Sequence, residues 1–196
     1  MRAMIHEDQA TTEWTPERTT IDTPLQEGQK ARISIEVARN GYLYVLDRDE
    51  YADGTHSDSY LIFPTLRTRA GDNRVSAGTV IEIPSADDTP PCFTVRRSRP
   101  DQINEVLTVL VSSEPIPGLR LGRERLRLAE TQVAAWEKQW KAKAYRLDAA
   151  GQAGRPYSLA EREAGKQGKP LTQDDPLPQT MYRVEAKPGG TLLLEF

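Results

Sequence analysis

Four aspartates lie close together in one polar stretch and are of the residue type that binds a hard cation. They are Asp47, Asp49, Asp53 and Asp58, and His56 lies among them. Carboxylate oxygens suit calcium. The stretch nevertheless departs from an EF-hand loop, because its Asp-Gly pair is displaced by two positions from the EF-hand spacing and no Glu stands at the final position of the loop. The pattern predicts a solvated loop with no bound metal or cofactor. These four aspartates are the ligands that a cation would use.

Cysteine, histidine and serine residues provide a second possible chemistry. Cys92 and His56 could pair as nucleophile and base, and Ser112 or Ser113 could supply a hydroxyl nucleophile. No signature such as Gly-x-Ser-x-Gly surrounds them, and His6 is the only other histidine. A half-buried strand cysteine and serines at a strand end explain the same residues. We therefore predict a non-enzymatic protein without catalytic residues, and keep a hydrolase as an alternative.

Basic residues form two clusters in the first two thirds of the chain. Arg96, Arg97 and Arg99 follow a predicted strand. A separate loop contains Arg67, Arg69 and Arg74. Nucleic-acid binding favours a wide basic face with interleaved aromatic residues, whereas this chain has a net charge of -3. We predict no nucleic-acid partner, and treat the 96–99 cluster as a candidate for protein contacts.

A helical pattern begins after residue 120. Its apolar stripe consists of Leu126, Ala129, Val133, Trp136, Trp140, Ala144 and Leu147, which are three or four residues apart. Eight basic and three acidic residues lie between residues 120 and 146. Such a helix can pack on a sheet, lie on an anionic membrane surface or enter a partner's groove. Trp136 and Trp140 are therefore interaction candidates, although burial of both rings on the sheet is the favoured outcome.

The remaining periodicity is that of strands. Ile33, Ile35 and Val37 alternate with polar residues and predict a strand over residues 31–38. Asn40 and Gly41 then predict a tight hairpin to a strand over residues 42–46. Further strands are predicted at residues 60–63, 79–83, 93–95 and 106–111. Short strands separated by turn residues favour an immunoglobulin-like β-sandwich.

The end of the chain predicts a return to a sheet. Ser158 and Glu161 fit a capping box that opens a short second helix, and a proline-rich loop follows at residues 170–178. Residues 181–186 and 191–196 predict a C-terminal β-hairpin. We therefore predict an α+β, mainly β protein with an N-terminal arm (1–28), a β-sandwich core (29–116), and a helical segment with the hairpin packing on the core (117–196).

Composition excludes several classes. One cysteine rules out an internal disulfide and a zinc site built mainly on thiolates. No run approaches the roughly 18 apolar residues of a membrane span, and the first ten residues lack the apolar stretch of a signal peptide. The sequence predicts neither an export signal nor a transmembrane segment in the chain as given, and does not predict the compartment.

Several motifs together carry a resemblance to a known family. They are GYLYVLD at 41–47, LIFPT at 61–65, AGT at 77–79 and VLVSSEP at 109–115. Over residues 29–115 the chain resembles the family called domain of unknown function 4384, and LTQDDPLP at 171–178 resembles an extension found in some members. The resemblance implies a bacterial accessory module, with a caspase-like peptidase or a signalling protein as partner, and implies no catalytic residue. We therefore expect a binding module that acts through protein contacts, with membrane-surface or partner-helix binding by the Trp-bearing helix as the alternative.

Overall fold

Strands dominate the computed structural model, which describes residues 2–5, 15–18, 20–148, 180–185 and 189–196. The strands are β1 (Arg2–Ile5), β2 (Thr15–Arg18), β3 (Lys30–Glu36), β4 (Gly41–Tyr51), β5 (Tyr60–Phe63), β6 (Arg74–Val75), β7 (Val80–Ile83), β8 (Phe93–Thr94), β9 (Gln102–Ser112), β10 (Leu126–Arg127), β11 (Lys143–Asp148), β12 (Thr180–Glu185) and β13 (Leu192–Glu195). Helix α1 covers Glu130–Trp140, and a single 3-10 turn covers Arg69–Gly71. The predicted class, α+β and mainly β, is confirmed, and the strands pair in several antiparallel sheets.

The chain divides into two compact units, each built from three separate stretches. The first contains Met1–Glu36, Val80–Arg96 and Arg146–Tyr182. Its sheet has the strand order β2-β1-β3-β7, and β8 also pairs with β3. Strands β1 and β2 thus lie inside the stretch predicted as an N-terminal arm. The second unit contains Val37–Thr79, Arg97–Tyr145 and Arg183–Phe196.

The sheet of the second unit has the order β10-β5-β4-β9-β13, with β6 also on β4. Residues Leu43 to Leu46 of β4 are at most 4% exposed, so both faces of this strand are buried. Apolar residues on both faces favour a central position. The predicted hairpin between residues 31–38 and 42–46 is wrong, because β5 and β9 occupy the two edges of β4 while β3 pairs with β1, β7 and β8.

Helix α1 covers one face of the second unit's sheet. Val133 and Trp136 are buried in one cluster with Tyr44, Leu110 and Leu193. The spacing of Val133 and Trp136 places both on the same side of the helix. Arg48 of β4 also connects the helix to the sheet, since it lies 3.6 Å from Glu137 of the helix and 3.5 Å from Glu195 of β13.

The predicted helical stripe is too long at both ends. Leu126 belongs to β10 and pairs with Leu61 of β5. After Trp140 the chain leaves the helix, the backbone N–H of Ala142 donates to the carbonyl of Leu193, and β11 follows. Backbone pairing with neighbouring strands therefore replaces helical hydrogen bonds at the two ends of the stripe.

Both predicted C-terminal strands exist, but they do not form a hairpin with each other. Strand β12 pairs with β11, whereas β13 pairs with β9 and brings Leu193 opposite Leu110. The predicted pairing is therefore wrong, while the predicted return to the sheet is confirmed. The capping box at Ser158 and Glu161 and the stretch at 170–178 lie outside the described residues. No helix within the described residues is long and apolar enough to cross a membrane.

Candidate functional site

Two loops of the second unit lie side by side because of one strand pairing. The first loop, residues 65–74, begins two residues after β5, and the second loop, residues 117–125, ends where β10 begins. Strands β5 and β10 are antiparallel, with Leu61 opposite Leu126. The chain leaving β5 therefore runs beside the chain entering β10.

Two contacts join the two loops, and side chains of both lie close to Gly71. The backbone N–H of Leu66 donates to the carbonyl of Gly122 at 2.8 Å. Arg67 forms an ion pair with Glu124 at 2.5 Å. A β-carbon placed on Gly71 would lie 3.4 Å from Leu66 Cδ2 and 3.7 Å from a methyl carbon of Leu121. A backbone hydrogen bond and an ion pair thus fix one loop against the other.

The first loop is held in an unusual backbone conformation. Arg69 and Ala70 have φ values of 48° and 52°, in the left-handed region that side chains with a β-carbon rarely occupy. Below them Thr65 and Thr68 are both buried. Their hydroxyl groups lie 3.0 Å apart, and the backbone N–H of Thr65 donates to the hydroxyl oxygen of Thr68 at 2.9 Å. This threonine pair fixes the turn that presents Leu66 and Arg67.

Arginine is the dominant residue type of the paired loops. We call the two loops, with their six arginines Arg67, Arg69, Arg74, Arg120, Arg123 and Arg125, the arginine surface. Their only acidic residues are Asp72 and Glu124, so the six positive and two negative charges give a formal charge of +4. The whole chain has a net charge of -3. The net charge of the arginine surface is therefore opposite in sign to the net charge of the whole chain.

Some of these arginines contact neighbouring side chains and others do not. Arg74 pairs with Asp72 at 3.0 Å and holds the pKa of that carboxyl below its usual range. The guanidinium of Arg125 lies 3.9 Å from the ring centre of Tyr60. Arg120 and Arg123 are exposed and form no ion pair with another described residue. These two side chains are the most available for an external anion.

A second cluster of charged residues lies on the sheet itself. We call Asp47, Asp49 and Glu105 the acidic sheet patch. Asp47 and Asp49 alternate along β4 and share a face, and Glu105 stands opposite Asp49 on β9. Asp47 is only 8% exposed, and its Oδ1 atom has no hydrogen-bond partner among the described residues.

Burial is the main reason that Asp47 is unusual. Burial raises the pKa of Asp47 most. The charge of Glu105, a hydrogen bond to Glu105 and the charge of Asp49 add to this effect, and together they raise the pKa to about 9. Arg125 opposes the shift only weakly, since its nearest nitrogen is 3.9 Å from Asp47 Oδ2. Burial and the neighbouring carboxylates therefore favour the protonated form of Asp47 in the folded protein.

The four aspartates proposed as cation ligands are not brought together. Asp47 faces Glu105, and Asp49 accepts a hydrogen bond from Gln102 at 2.8 Å. Asp53 accepts from the hydroxyl of Thr55 at 2.6 Å and from its backbone N–H at 2.8 Å, and these two bonds lower the pKa of Asp53. Asp58 pairs with Arg127 at 2.7 Å. Within the described ranges no group of three or more His, Cys, Asp or Glu residues is placed to hold a metal ion.

The residues considered as nucleophiles or base have ordinary structural partners. The hydroxyls of Ser112 and Thr191 lie 3.0 Å apart, and Ser113 donates to the carbonyl of Gly189 at 2.8 Å. His56 Nδ1 lies 3.0 Å from the carbonyl oxygen of its neighbour Ser57. Cys92 is a half-buried free thiol. The two serines attach the C-terminal segment to the end of β9.

The predicted interaction residues fall into different settings. Arg96 and Arg97 are exposed, whereas Arg99 pairs with Asp101 at 2.8 Å and lies 4.0 Å from the ring centre of Tyr51. Trp136 and Trp140 are stacked, with ring centres 5.6 Å apart. Trp136 is 8% exposed and Trp140 is half-buried, so the predicted burial of the rings is complete only for Trp136.

Sequence reasoning did not identify the arginine surface. It placed Arg67 in one loop and Arg120 and Arg123 in a helical region about fifty residues away. Each loop does show a signal, namely three arginines with one acidic residue and a glycine. Their juxtaposition depends on β10, which has only two residues and therefore gives no periodic pattern.

Comparison of the chain with protein-family models, with curated proteins and with solved structures found no match. The resemblance to domain of unknown function 4384 therefore stays a prediction that rests on the motifs of the sequence.

Proposed function

We propose that the protein is a non-enzymatic binding module that acts through protein contacts, and that the arginine surface is its contact region. The observation that supports this most directly is the exposed Leu66 at the centre of two loops that together carry a charge of +4. Leu66 is 52% exposed although it follows a buried strand end. Interfaces are enriched in arginine around an apolar centre, and surface loops on a rigid scaffold commonly carry binding residues.

The alternative of binding through the Trp-bearing helix has less support. Membrane or groove binding needs the apolar face of the helix to be available. In this protein that face contributes Val133 and Trp136 to the core of the second unit. A hydrolase also has less support, because the hydroxyl groups of Ser112 and Ser113 are used in contacts with residues 189–191.

The resemblance noted in the sequence supplies a class of partner. It implies a caspase-like peptidase or a signalling protein of the same cell. Either would meet this module through a protein surface, which agrees with the binding function proposed here. The experiment therefore has to identify the partner without assuming which of the two it is.

Site-specific photo-crosslinking in an extract of the source cells tests the proposal. A photoreactive residue replaces Leu66 in one variant and Ile103 in the control. Ile103 is also a large exposed apolar residue, 60% exposed, and it lies at the opposite end of the sheet, beside the pairing of Tyr51 with Gln102. We expect a protein adduct at position 66 that is absent at position 103. Equal labelling at both positions, or none at either, contradicts the proposal.

A further inference from the structure

The arginine surface has a composition that selects among anions. Its two loops contain arginine and no lysine. A guanidinium group is planar and can bind a carboxylate through two parallel hydrogen bonds, and it is more weakly hydrated than an ammonium group. With Arg120 and Arg123 exposed and without ion pairs to other described residues, carboxylates are well matched partners.

The surface also has an apolar centre. Leu66 of the first loop is exposed, and Leu119 and Leu121 of the second loop are half-buried. Leu66 and Leu121 approach each other at Gly71. An apolar side chain of a partner that covered Leu66 would remove this exposed surface from water. The partner should therefore combine carboxylates with at least one apolar side chain.

The loops are already ordered for binding. The Thr65 and Thr68 pair, the bond from Leu66 to Gly122 and the Arg67–Glu124 ion pair all fix the backbone that presents these side chains. Left-handed conformations at Arg69 and Ala70 are costly and persist because the surroundings fix them. A preformed surface loses less conformational entropy when a ligand binds.

Other anionic macromolecules fit the surface less well. Single-stranded nucleic acids bind where aromatic side chains stack on bases, and the two loops contain no aromatic residue. A membrane surface favours several large apolar side chains beside the basic ones, whereas Leu66 is the one exposed large apolar residue of these loops. These features favour a peptide with spaced carboxylates.

We infer that the arginine surface binds an acidic segment of a partner protein in which glutamate or aspartate residues flank an apolar side chain. This inference rests on the proposed function, because it names the kind of partner that the same surface would recognise.

Binding of a defined peptide to the full chain tests the inference. The probe is a fluorescein-labelled peptide of about ten residues, rich in glutamate with two central leucines, which is long enough to cross both loops. Fluorescence anisotropy measures its affinity for the parent protein and for two double variants. Arg120→Glu with Arg123→Glu alters the surface. Arg96→Glu with Arg97→Glu makes the same charge change at two exposed arginines outside the two loops, where the first unit ends and a stretch of the second begins.

We expect the first double variant to bind the peptide at least about tenfold more weakly, and the second to differ from the parent by about twofold or less. Binding should also weaken when the salt concentration is raised from about 50 mM to about 300 mM, because exposed charges are screened. Thermal unfolding of both variants verifies that they fold. Equal weakening in the two double variants overturns the inference, since only the total charge would then matter.

Two further probes distinguish the acidic peptide from the other anionic ligands, a nucleic acid and a membrane surface. A single-stranded oligonucleotide and vesicles that contain phosphatidylserine are titrated in the same way. Tighter binding of either probe than of the peptide, lost in Arg120→Glu with Arg123→Glu, overturns the inference in favour of phosphate recognition. If the peptide does not bind while crosslinking at position 66 persists, the inference fails and the proposed function stands. If both are absent, both fail.

Discussion

The neutral state of Asp47 leads to a prediction about stability and pH. Asp47 lies within the sheet and is only 8% exposed, and its pKa rises from 3.8 to about 9 on folding. The folded protein therefore retains a proton that the unfolded chain releases between these two values. Because the pKa of the folded state is the higher one, the stabilisation is complete below pH 3.8 and is lost as the pH rises toward 9. Asp47→Asn replaces this group by one that is neutral at every pH.

The size of the expected stability change follows from the pH interval between the unfolded and the folded pKa of Asp47. Each pH unit inside it lowers the contribution of Asp47 by up to about 1.4 kcal/mol. We therefore expect Asp47→Asn to have about the parent's stability near pH 4 and to be more stable by roughly 2 to 4 kcal/mol at pH 7. Burial is the largest cause of the shift and the charge of Glu105 the second. Glu105→Gln should accordingly reduce the pH dependence without removing it.

Urea unfolding at a series of pH values from about 4 to about 8, at constant ionic strength, measures the difference between parent and variant. Asp58→Asn is the matched control, since it makes the same chemical change at an exposed carboxylate, which pairs with Arg127. We expect the control and the parent to depend on pH in the same way. Parallel curves for Asp47→Asn and the parent across the whole window would refute a protonated Asp47 in the folded protein.

Three further substitutions or titrations test other parts of the structure. Trp136→Ala should destabilise the protein by about 3 to 5 kcal/mol in urea unfolding because the ring is buried in the core, while Trp140→Ala, at a half-buried ring, should cost clearly less. Gly41→Ala should lower the thermal midpoint strongly, because a β-carbon there would lie 2.3 Å from a backbone oxygen of β9, whereas Gly122→Ala, with 3.9 Å to its nearest neighbour, should be mild. Calorimetric titration with calcium should give no tight binding, because the predicted ligands have other partners; micromolar affinity that disappears in Asp49→Asn would contradict this.

Strands were the part of the fold that the sequence could predict. The strand predicted at residues 60–63 has the same bounds as β5, and the apolar run at 106–111 lies inside β9. Alternation and apolar runs record which faces of a strand are buried, so they locate the strand itself. These patterns do not indicate which other strand it pairs with in the sheet. The Asn40-Gly41 turn therefore suggested a hairpin, although the strands on its two sides pair in different sheets.

The limits of the helix were harder to predict because of a similar ambiguity. Leu126 keeps the helical spacing to Val133 but lies in β10, where it pairs with Leu61. Apolar residues a few positions apart can fit a helix or a strand when the stretch is short. Tertiary contacts decide between helix and strand here, since Leu126 pairs with Leu61 of β5 and the backbone N–H of Ala142 donates to the carbonyl of Leu193 in β13.

The two charged regions are linked through Arg125, which extends the argument from stability to binding. Arg125 belongs to the arginine surface, and its guanidinium lies 3.9 Å from the carboxyl group of Asp47 in the acidic sheet patch. A protonated Asp47 carries no charge at neutral pH, so it does not offset the positive charge of Arg125. Burial of one carboxyl group in the sheet thus preserves the positive field of the loops above it. The sequence could not indicate this, because it shows Asp47 only as one of several aspartates in a polar stretch.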